Sequence, residues 1–287
     1  MKNIVIAAGY ATRLGELTAN FPKPLLKIGQ RSILERMLDD IDAIPEIDEH
    51  IIVTNHKFAH HFVEWKDSLP LREDGGSHYS KPITIIDDMT ETNDTRLGAV
   101  CDLLFAMDIL DKRQKVNGER PLAFRPSSLA ATKWPDDMLV VAADNLLFFT
   151  FADFVKFARE KDSSCIMCHE QKELTKLQRT GVVVLDDNHR VLNMEEKPQQ
   201  PKSTWAVPPF YIYLKKDLDL VRHSVENGCG KDAPGNLAHY LCDHTTMHAW
   251  KMQQDPNLPL SRGNEGVLRF DIGSLDTYKE ACERFGK

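Results

Sequence analysis

The chain has 287 residues, with 36 Lys and Arg against 43 Asp and Glu for a formal charge of −7, and 42% of its residues are hydrophobic. Such a composition is globular, the length can bury a sizeable core, and the acidic balance excludes a protein devoted to wrapping nucleic acid, whose phosphates need a basic field. No apolar run approaches the roughly 20 residues that span a bilayer, no secretory leader is recognisable, and the cysteines are scattered, so a cytoplasmic protein with reduced thiols and no membrane partner is expected.

The first 36 residues stand apart from the acidic remainder, with six Lys or Arg and two Asp or Glu. Within them Ile4–Ile6 is a short apolar run leading into a glycine turn, the pattern of a buried strand. Ser32 and Glu35 have capping-box spacing and open a helix that buries Leu34, Met37, Leu38 and Ile41. Residues 51–53 read as the next strand, 57–68 as a helix and 83–86 as a third strand. Val100, Leu103, Leu104 and Met107 then repeat at helical spacing. Residues 138–142 form a fourth strand that ends at Ala143-Asp144-Asn145, and Phe151, Phe154, Val155 and Ala158 line the helix after it.

This alternation predicts a Rossmann-like three-layer α/β/α fold with a central mixed, mostly parallel sheet. Ligands in such sheets bind beyond the carboxyl ends of the strands, where the turn after Ile6 and Asp144 both fall. The second half is richer in strands, at 164–168, 181–185, 190–194, 210–214, 247–251 and 267–271. Helices are predicted at 215–227, after Gly235, and at the C-terminus on Tyr278, Ala281, Cys282 and Phe285. With no repeat or linker, residues 1–287 read as a single domain. The polar segment 111–136, containing Gly118, Pro121, Pro126 and Pro135, is long for a connection, and such stretches are usually functional or disordered.

Chemistry gathers between Ile4 and Gly29. A strand ending in a glycine turn presents successive backbone N–H groups that suit an anion. Arg13 adds a fork of donors matched to phosphate oxygens, and Lys23 stands between Pro22 and Pro24, which stiffen its backbone. The loop Gly9-Tyr10-Ala11-Thr12-Arg13-Leu14 followed by Pro22-Lys23-Pro24 resembles the G-x-G-T-R-L and P-K-P signature of the sugar-1-phosphate nucleotidylyltransferases. Further motifs of that family recur in its order: Ala143-Asp144-Asn145-Leu146-Leu147-Phe148, Gly181-Val182-Val183, Glu195-Glu196-Lys197-Pro198, and Asp271-Ile272-Gly273-Ser274 with Tyr278.

The resemblance implies a reaction in which a sugar-1-phosphate attacks the α-phosphorus of a nucleoside triphosphate and pyrophosphate leaves. It implies a nucleotide-binding half, 1–150, and a sugar-phosphate-binding half, 151–287. Ala7, Ala8, Gly9, Tyr10, Ala11, Thr12, Arg13 and Gly98 would meet the nucleotide. Arg13 would also steady the leaving pyrophosphate, Lys23 would stand near the α-phosphate, and Lys197 would hold the sugar phosphate. Asn145, Gly181, Glu196 and Asn236 would complete the sugar site, with Asp144 and Asp271 as the carboxylates that hold Mg²⁺. Related enzymes are commonly dimers or tetramers, so a homo-oligomer is expected, with no appended acyltransferase or β-helix domain after Tyr278.

Several positions depart from the family pattern. Ala11 replaces the second glycine of the loop, Ala143 replaces the glycine before Asp144, and the usual base-reading Gln is missing from the 91–99 stretch. Alanine tolerates positive φ poorly, so the loop has to adopt a compatible turn or carry strain. Two other readings keep the same fold: a cytidylyltransferase for a phosphorylated alcohol such as phosphocholine, and a catalytically silent regulatory subunit. Cys165-Ile166-Met167-Cys168-His169 has the spacing of a haem attachment site but lies in a predicted strand. His56 and His60 have metal-ligand spacing on a helix, yet Lys57 and His61 beside them suggest a plain polar face.

Overall fold

The computed structural model describes residues 1–115, 136–253 and 269–286. In chain order the strands are β1 (Lys2–Ile6), β2 (Lys27–Ile28), β3 (Arg31–Ser32), β4 (Glu49–Thr54), β5 (Ile83–Asp87), β6 (Met138–Ala142), β7 (Asn145–Leu147), β8 (Ser164–Glu170), β9 (Gly181–Leu185), β10 (Val191–Glu196), β11 (Trp205–Val207), β12 (Phe210–Tyr213), β13 (Met247–Lys251) and β14 (Arg269–Asp271). The helices are α1 (Ile33–Asp42), α2 (His56–Ser68), α3 (Ala99–Lys115), α4 (Phe151–Lys161), α5 (Leu174–Leu177), α6 (Leu218–His223), α7 (Pro234–His244) and α8 (Leu275–Phe285).

Ten strands make one sheet in the order β10-β9-β11-β8-β12-β6-β1-β4-β5, with β13 also paired to β8. β1 is central and parallel to both β4 and β6, so that Ile4 lies between Ile51 and Val140. Only β10, β11 and β12 run against the rest, which makes the sheet mixed but mostly parallel in strand direction.

Strand periodicity divides the core. Ile4, Ile51, Val53 and Val140 face α3 and α7, meeting Val100, Leu103 and Leu237. Their neighbours Val5, Ile52, Leu139 and Val141 face α1, α2 and α4, meeting Leu38, Phe58 and Phe154. Burial on both faces is why these strands read as continuous apolar runs, and each fully buried side chain is worth about 1.5–3 kcal/mol. The Ser32–Glu35 capping box starts α1 as expected, with both reciprocal hydrogen bonds in place.

Three differences from the sequence reading have physical causes. The helix expected over 215–227 is a short 3-10 turn followed by α6, which ends at His223. There the chain folds back, with the Cys229 N–H bonded to the Ser224 carbonyl and Gly228 at φ +94°. β7 and β11, each three residues long, carry too few residues to show a period. Helix α3 runs into the polar 111–136 segment as far as Lys115, and residues 116–135 lie outside the described residues, as do 267–268 of the last predicted strand.

Cys165 and Cys168 belong to β8 and point into opposite cores, and burial pushes both thiols up to about 12. His56 hydrogen-bonds Asp87 rather than facing His60. Among the described residues no helix is long and apolar enough to cross a membrane.

One part of the core is acidic. Asp88, just after β5, and Asp102, in the first turn of α3, are each only 4% exposed. Burial, and after it the Asp88 carboxylate, push the Asp102 carboxyl up to about 8. The folded protein therefore keeps a proton that the unfolded chain releases near pH 4, and stability is lost as pH rises towards 8, at up to about 1.4 kcal/mol per pH unit. Asp102→Asn is expected to flatten this dependence. Thermal melts at pH 5 and pH 8 check it, since an equal fall in Tm for variant and wild type excludes Asp102 as the source.

Candidate active site

The glycine loop leaves the end of β1 firmly held. Asn55 caps α2 through its Oδ1 and donates its Nδ2 to the Ala8 carbonyl at 2.9 Å, while the Ala7 N–H bonds the Val53 carbonyl at 2.8 Å. These two backbone groups, expected to meet the nucleotide, are thus engaged by the fold. Tyr10 is buried near Phe58, with its hydroxyl 3.1 Å from the Thr90 hydroxyl, so its side chain is an anchor. Gly9, Thr12 and Arg13 stay exposed, and a Cβ on Gly9 would meet no atom within 4 Å.

Ala11 takes the left-handed conformation, φ +47°, that a glycine would adopt without penalty. Left-handed backbone at a residue with a Cβ costs about 1–2 kcal/mol. The Ala11 carbonyl repays part of that by accepting from Leu14 N–H at 3.1 Å and from the Thr18 hydroxyl at 2.8 Å. Ala143 has no positive φ, so its departure carries no such strain. Leu14 is buried with Leu146, Phe270 and Ile272, which carries Arg13 beside β7 and β14.

That small antiparallel pair unites the two aspartates. Asp271 lies opposite Asn145, and the Ile272 N–H bonds the Asp144 carbonyl at 3.1 Å. Lys23, buried between its prolines, points its Nζ at Asp144 Oδ2, 3.2 Å away. Asn145 Nδ2 donates to Asp144 Oδ1 at 2.6 Å, and Arg269 Nη1 donates to Asn145 Oδ1 at 2.8 Å. Enclosure by protein atoms and the nearby Asp144 raise the Asp271 carboxyl, while Lys23, Arg269 and Arg13 pull it down. Two like charges so placed favour a bound cation.

Arg13, Asp144, Asn145, Arg269 and Asp271 line a cleft of about 500 Å³. A second space of about 380 Å³ is lined by Gly181, Glu196, Lys197 and Gly235, and it adjoins the first across Arg179, Thr180 and Pro209, which border both. Glu196 pairs across the sheet with Gly181. A Cβ on Gly181 would stand 3.1 Å from Glu196 Oε2, and one on Gly235 would overlap that atom, so both glycines make room for the carboxylate. Burial raises the Glu196 carboxyl, opposed by Lys197 and His239. Lys197 leaves β10 in a left-handed conformation, φ +51°, with its N–H on the Thr180 carbonyl and its exposed ammonium 3.7 Å from Glu196.

Two of the expected site residues, Gly98 and Asn236, are outside the lining of these two spaces. Gly98, at φ +91°, lies against the backbone of Lys231 and Asp232, and Asn236 packs on Gly230 beside the cavity rather than lining it. Lining residues not anticipated for this site include His169, Gln171, Arg179 and Arg269. Arg269 precedes Asp271 by two, so strand alternation alone puts it on the same face. His169 is 2% exposed, with Nδ1 buried and unpartnered, and burial, Arg269 and Lys176 hold its pKa well below the usual histidine value.

A family model described as nucleotidyl transferase matches residues 2–286. The chain belongs to that family. Among curated relatives it is 21% identical to a glucose-1-phosphate adenylyltransferase of Fervidobacterium nodosum, over 98% of this chain and 60% of that protein. It is 24% identical to a UTP--glucose-1-phosphate uridylyltransferase of Synechocystis, over 98% of this chain and 62% of the other. A glucose-1-phosphate thymidylyltransferase of Neisseria meningitidis is 30% identical over 51% of this chain and 47% of its own. The chain thus spans about three fifths of the length of the first two relatives. The structure of a UDP-glucose pyrophosphorylase with UDP-glucose superposes with a TM-score of 0.71 at 16% identity, covering 98% of this chain and 97% of that one, and shares the family's fold.

Proposed function

We propose that this nucleotidyl transferase joins a nucleoside triphosphate to a sugar-1-phosphate, with release of pyrophosphate and dependence on Mg²⁺. The carrying observation is a pair of adjoining spaces, one lined by Arg13, Asp144 and Asp271, with Lys23 on Asp144, and the other by Gly181, Glu196 and Lys197. The relatives' names differ in the nucleotide and agree on glucose-1-phosphate, which supports a hexose-1-phosphate as the acceptor.

The carboxylate pair suits Mg²⁺. Two hard oxygen donors with no larger cluster of His, Cys, Asp and Glu among the described residues match an ion that keeps waters and substrate phosphate oxygens as its other ligands. Asp144 and Asp271 would hold it, and once bound it neutralises charge developing at the transferring phosphate. Arg13 steadies the triphosphate and the departing pyrophosphate. Lys23, brought to Asp144 by the rigid Pro22-Lys23-Pro24 turn, neutralises the reacting phosphates. Lys197 holds the acceptor phosphate, and the Glu196 carboxylate accepts hydrogen bonds from sugar hydroxyls. No covalent nucleophile is needed, since positioning and charge neutralisation carry phosphoryl-type transfer.

The test is a panel of the common nucleoside triphosphates against hexose-1-phosphates and phosphocholine, read as pyrophosphate release with and without Mg²⁺. Turnover that requires a sugar phosphate supports the reading. Turnover with phosphocholine alone replaces it with the phospho-alcohol enzyme, and failure across the whole panel removes the activity.

A further inference from the structure

The larger space holds more cationic capacity than transfer at Asp144 and Asp271 uses. Arg269 makes one side-chain hydrogen bond, to Asn145; its Nε is buried without an acceptor, and no carboxylate forms an ion pair with it among the described residues. Asp271 and Asp144 act on this guanidinium only through space, and it has five donors to satisfy. The Asn145 amide stands between Arg269 and the Asp144 carboxylate, which sets the guanidinium one side chain back from the reacting centre. Across the lobe, His169 of β8 presents a buried imidazole with Nδ1 unpartnered. Arg179 borders both spaces and forms no ion pair among the described residues. Lys176, by contrast, is engaged by Glu173 at 3.0 Å.

A neutral hexose has hydroxyl acceptors but no charge to match these two guanidinium groups. We propose that Arg269, Arg179 and His169 form a second anion subsite, and that the acceptor is a sugar phosphate bearing a further anionic group, a carboxylate or a second phosphate, away from the reacting phosphate. The proposal rests on the sugar-1-phosphate activity above and adds the acceptor's charge to it. The two arginines supply paired donors of the geometry that carboxylates and phosphates accept, and His169 adds an uncharged ring donor on the third side.

The experiment compares glucose-1-phosphate, glucuronic acid 1-phosphate and glucose 1,6-bisphosphate as acceptors, with the triphosphate the panel selects, in wild type, Arg179→Gln and Arg269→Gln. Wild type is expected to prefer at least one doubly anionic acceptor by about tenfold in kcat/KM, and whichever is preferred distinguishes carboxylate from phosphate. In Arg179→Gln, whose position is exposed and safe for folding, kcat/KM is expected to fall about tenfold further on the anionic acceptor than on glucose-1-phosphate, chiefly through KM. Arg269→Gln is expected to show the same asymmetry. Equal or better use of glucose-1-phosphate by wild type, or equal losses on all acceptors in Arg179→Gln, overturns the subsite and leaves the sugar-phosphate activity standing. No turnover of any sugar phosphate overturns both.

Discussion

Asp271→Asn is expected to lower Mg²⁺-dependent turnover by about 10²-fold or more while making the metal-free protein slightly more stable. The two effects have opposite signs because they come from the same geometry. Asp144 and the enclosing protein destabilise the Asp271 carboxylate, so removing its charge relieves repulsion in the free enzyme. The same removal takes away one of the two anionic oxygens that face a cation. Asp144→Asn is expected to lose activity similarly, but with some loss of stability, since Asp144 also accepts from Lys23 and Asn145. Pyrophosphate release as a function of Mg²⁺, together with Tm measured with and without the ion, separates the cases. Near-wild-type rates in either variant remove that residue from the metal site.

Gly98→Ala is expected to be strongly destabilising. Gly98 holds φ +91°, and a Cβ would stand 2.6 Å from the Lys231 carbonyl oxygen and 3.0 Å from Asp232 Cα, both backbone atoms that cannot rotate away. The same two carbonyls, of Asp232 and Lys231, accept the Ala99 and Val100 N–H groups that open α3. Strain and overpacking together predict a loss of about 2–4 kcal/mol. Pushing 231–232 outward also drags Pro234 and Gly235, which wall the space around Glu196, so KM for the sugar phosphate is expected to rise. Denaturant melts and acceptor kinetics measure both. A variant of unchanged stability shows that the segment yields freely.

These cases also mark what could be read without coordinates. The strands around β1 were legible because burial on two faces leaves runs such as Ile4–Ile6 and Met138–Ala142 with hardly a polar residue, and a capping box is visible in four letters. Asp144, Asp271, Glu196 and Lys197 could be named because their neighbours in sequence are distinctive. Gly98 could be named but its packing could not: a glycine's letter records that something comes close, and here backbone from residues 231–232 does so. Ala11 shows the reverse, since the left-handed turn persists although the glycine is gone. Arg269 and Arg179 escaped notice because an arginine in a strand or turn is ordinary until the fold shows that its charge is enclosed or aimed inward. The period of β14 offered the one clue.

The pairing of β14 with β7 has a consequence for how the site assembles. The bond from Arg269 to Asn145 closes a separation of 124 residues, and β7 and β14 form a sheet of their own outside the ten-stranded one. Contacts of such long range are costly to close, and the pairing of Lys2 with Met138 inside the main sheet spans a still longer stretch of chain. Asp144 is placed by the end of β6, whereas Asp271 arrives from β14 with α8 docked behind it. The two acidic groups of the proposed Mg²⁺ site therefore come from distant parts of the chain, and the site is complete only once both have docked.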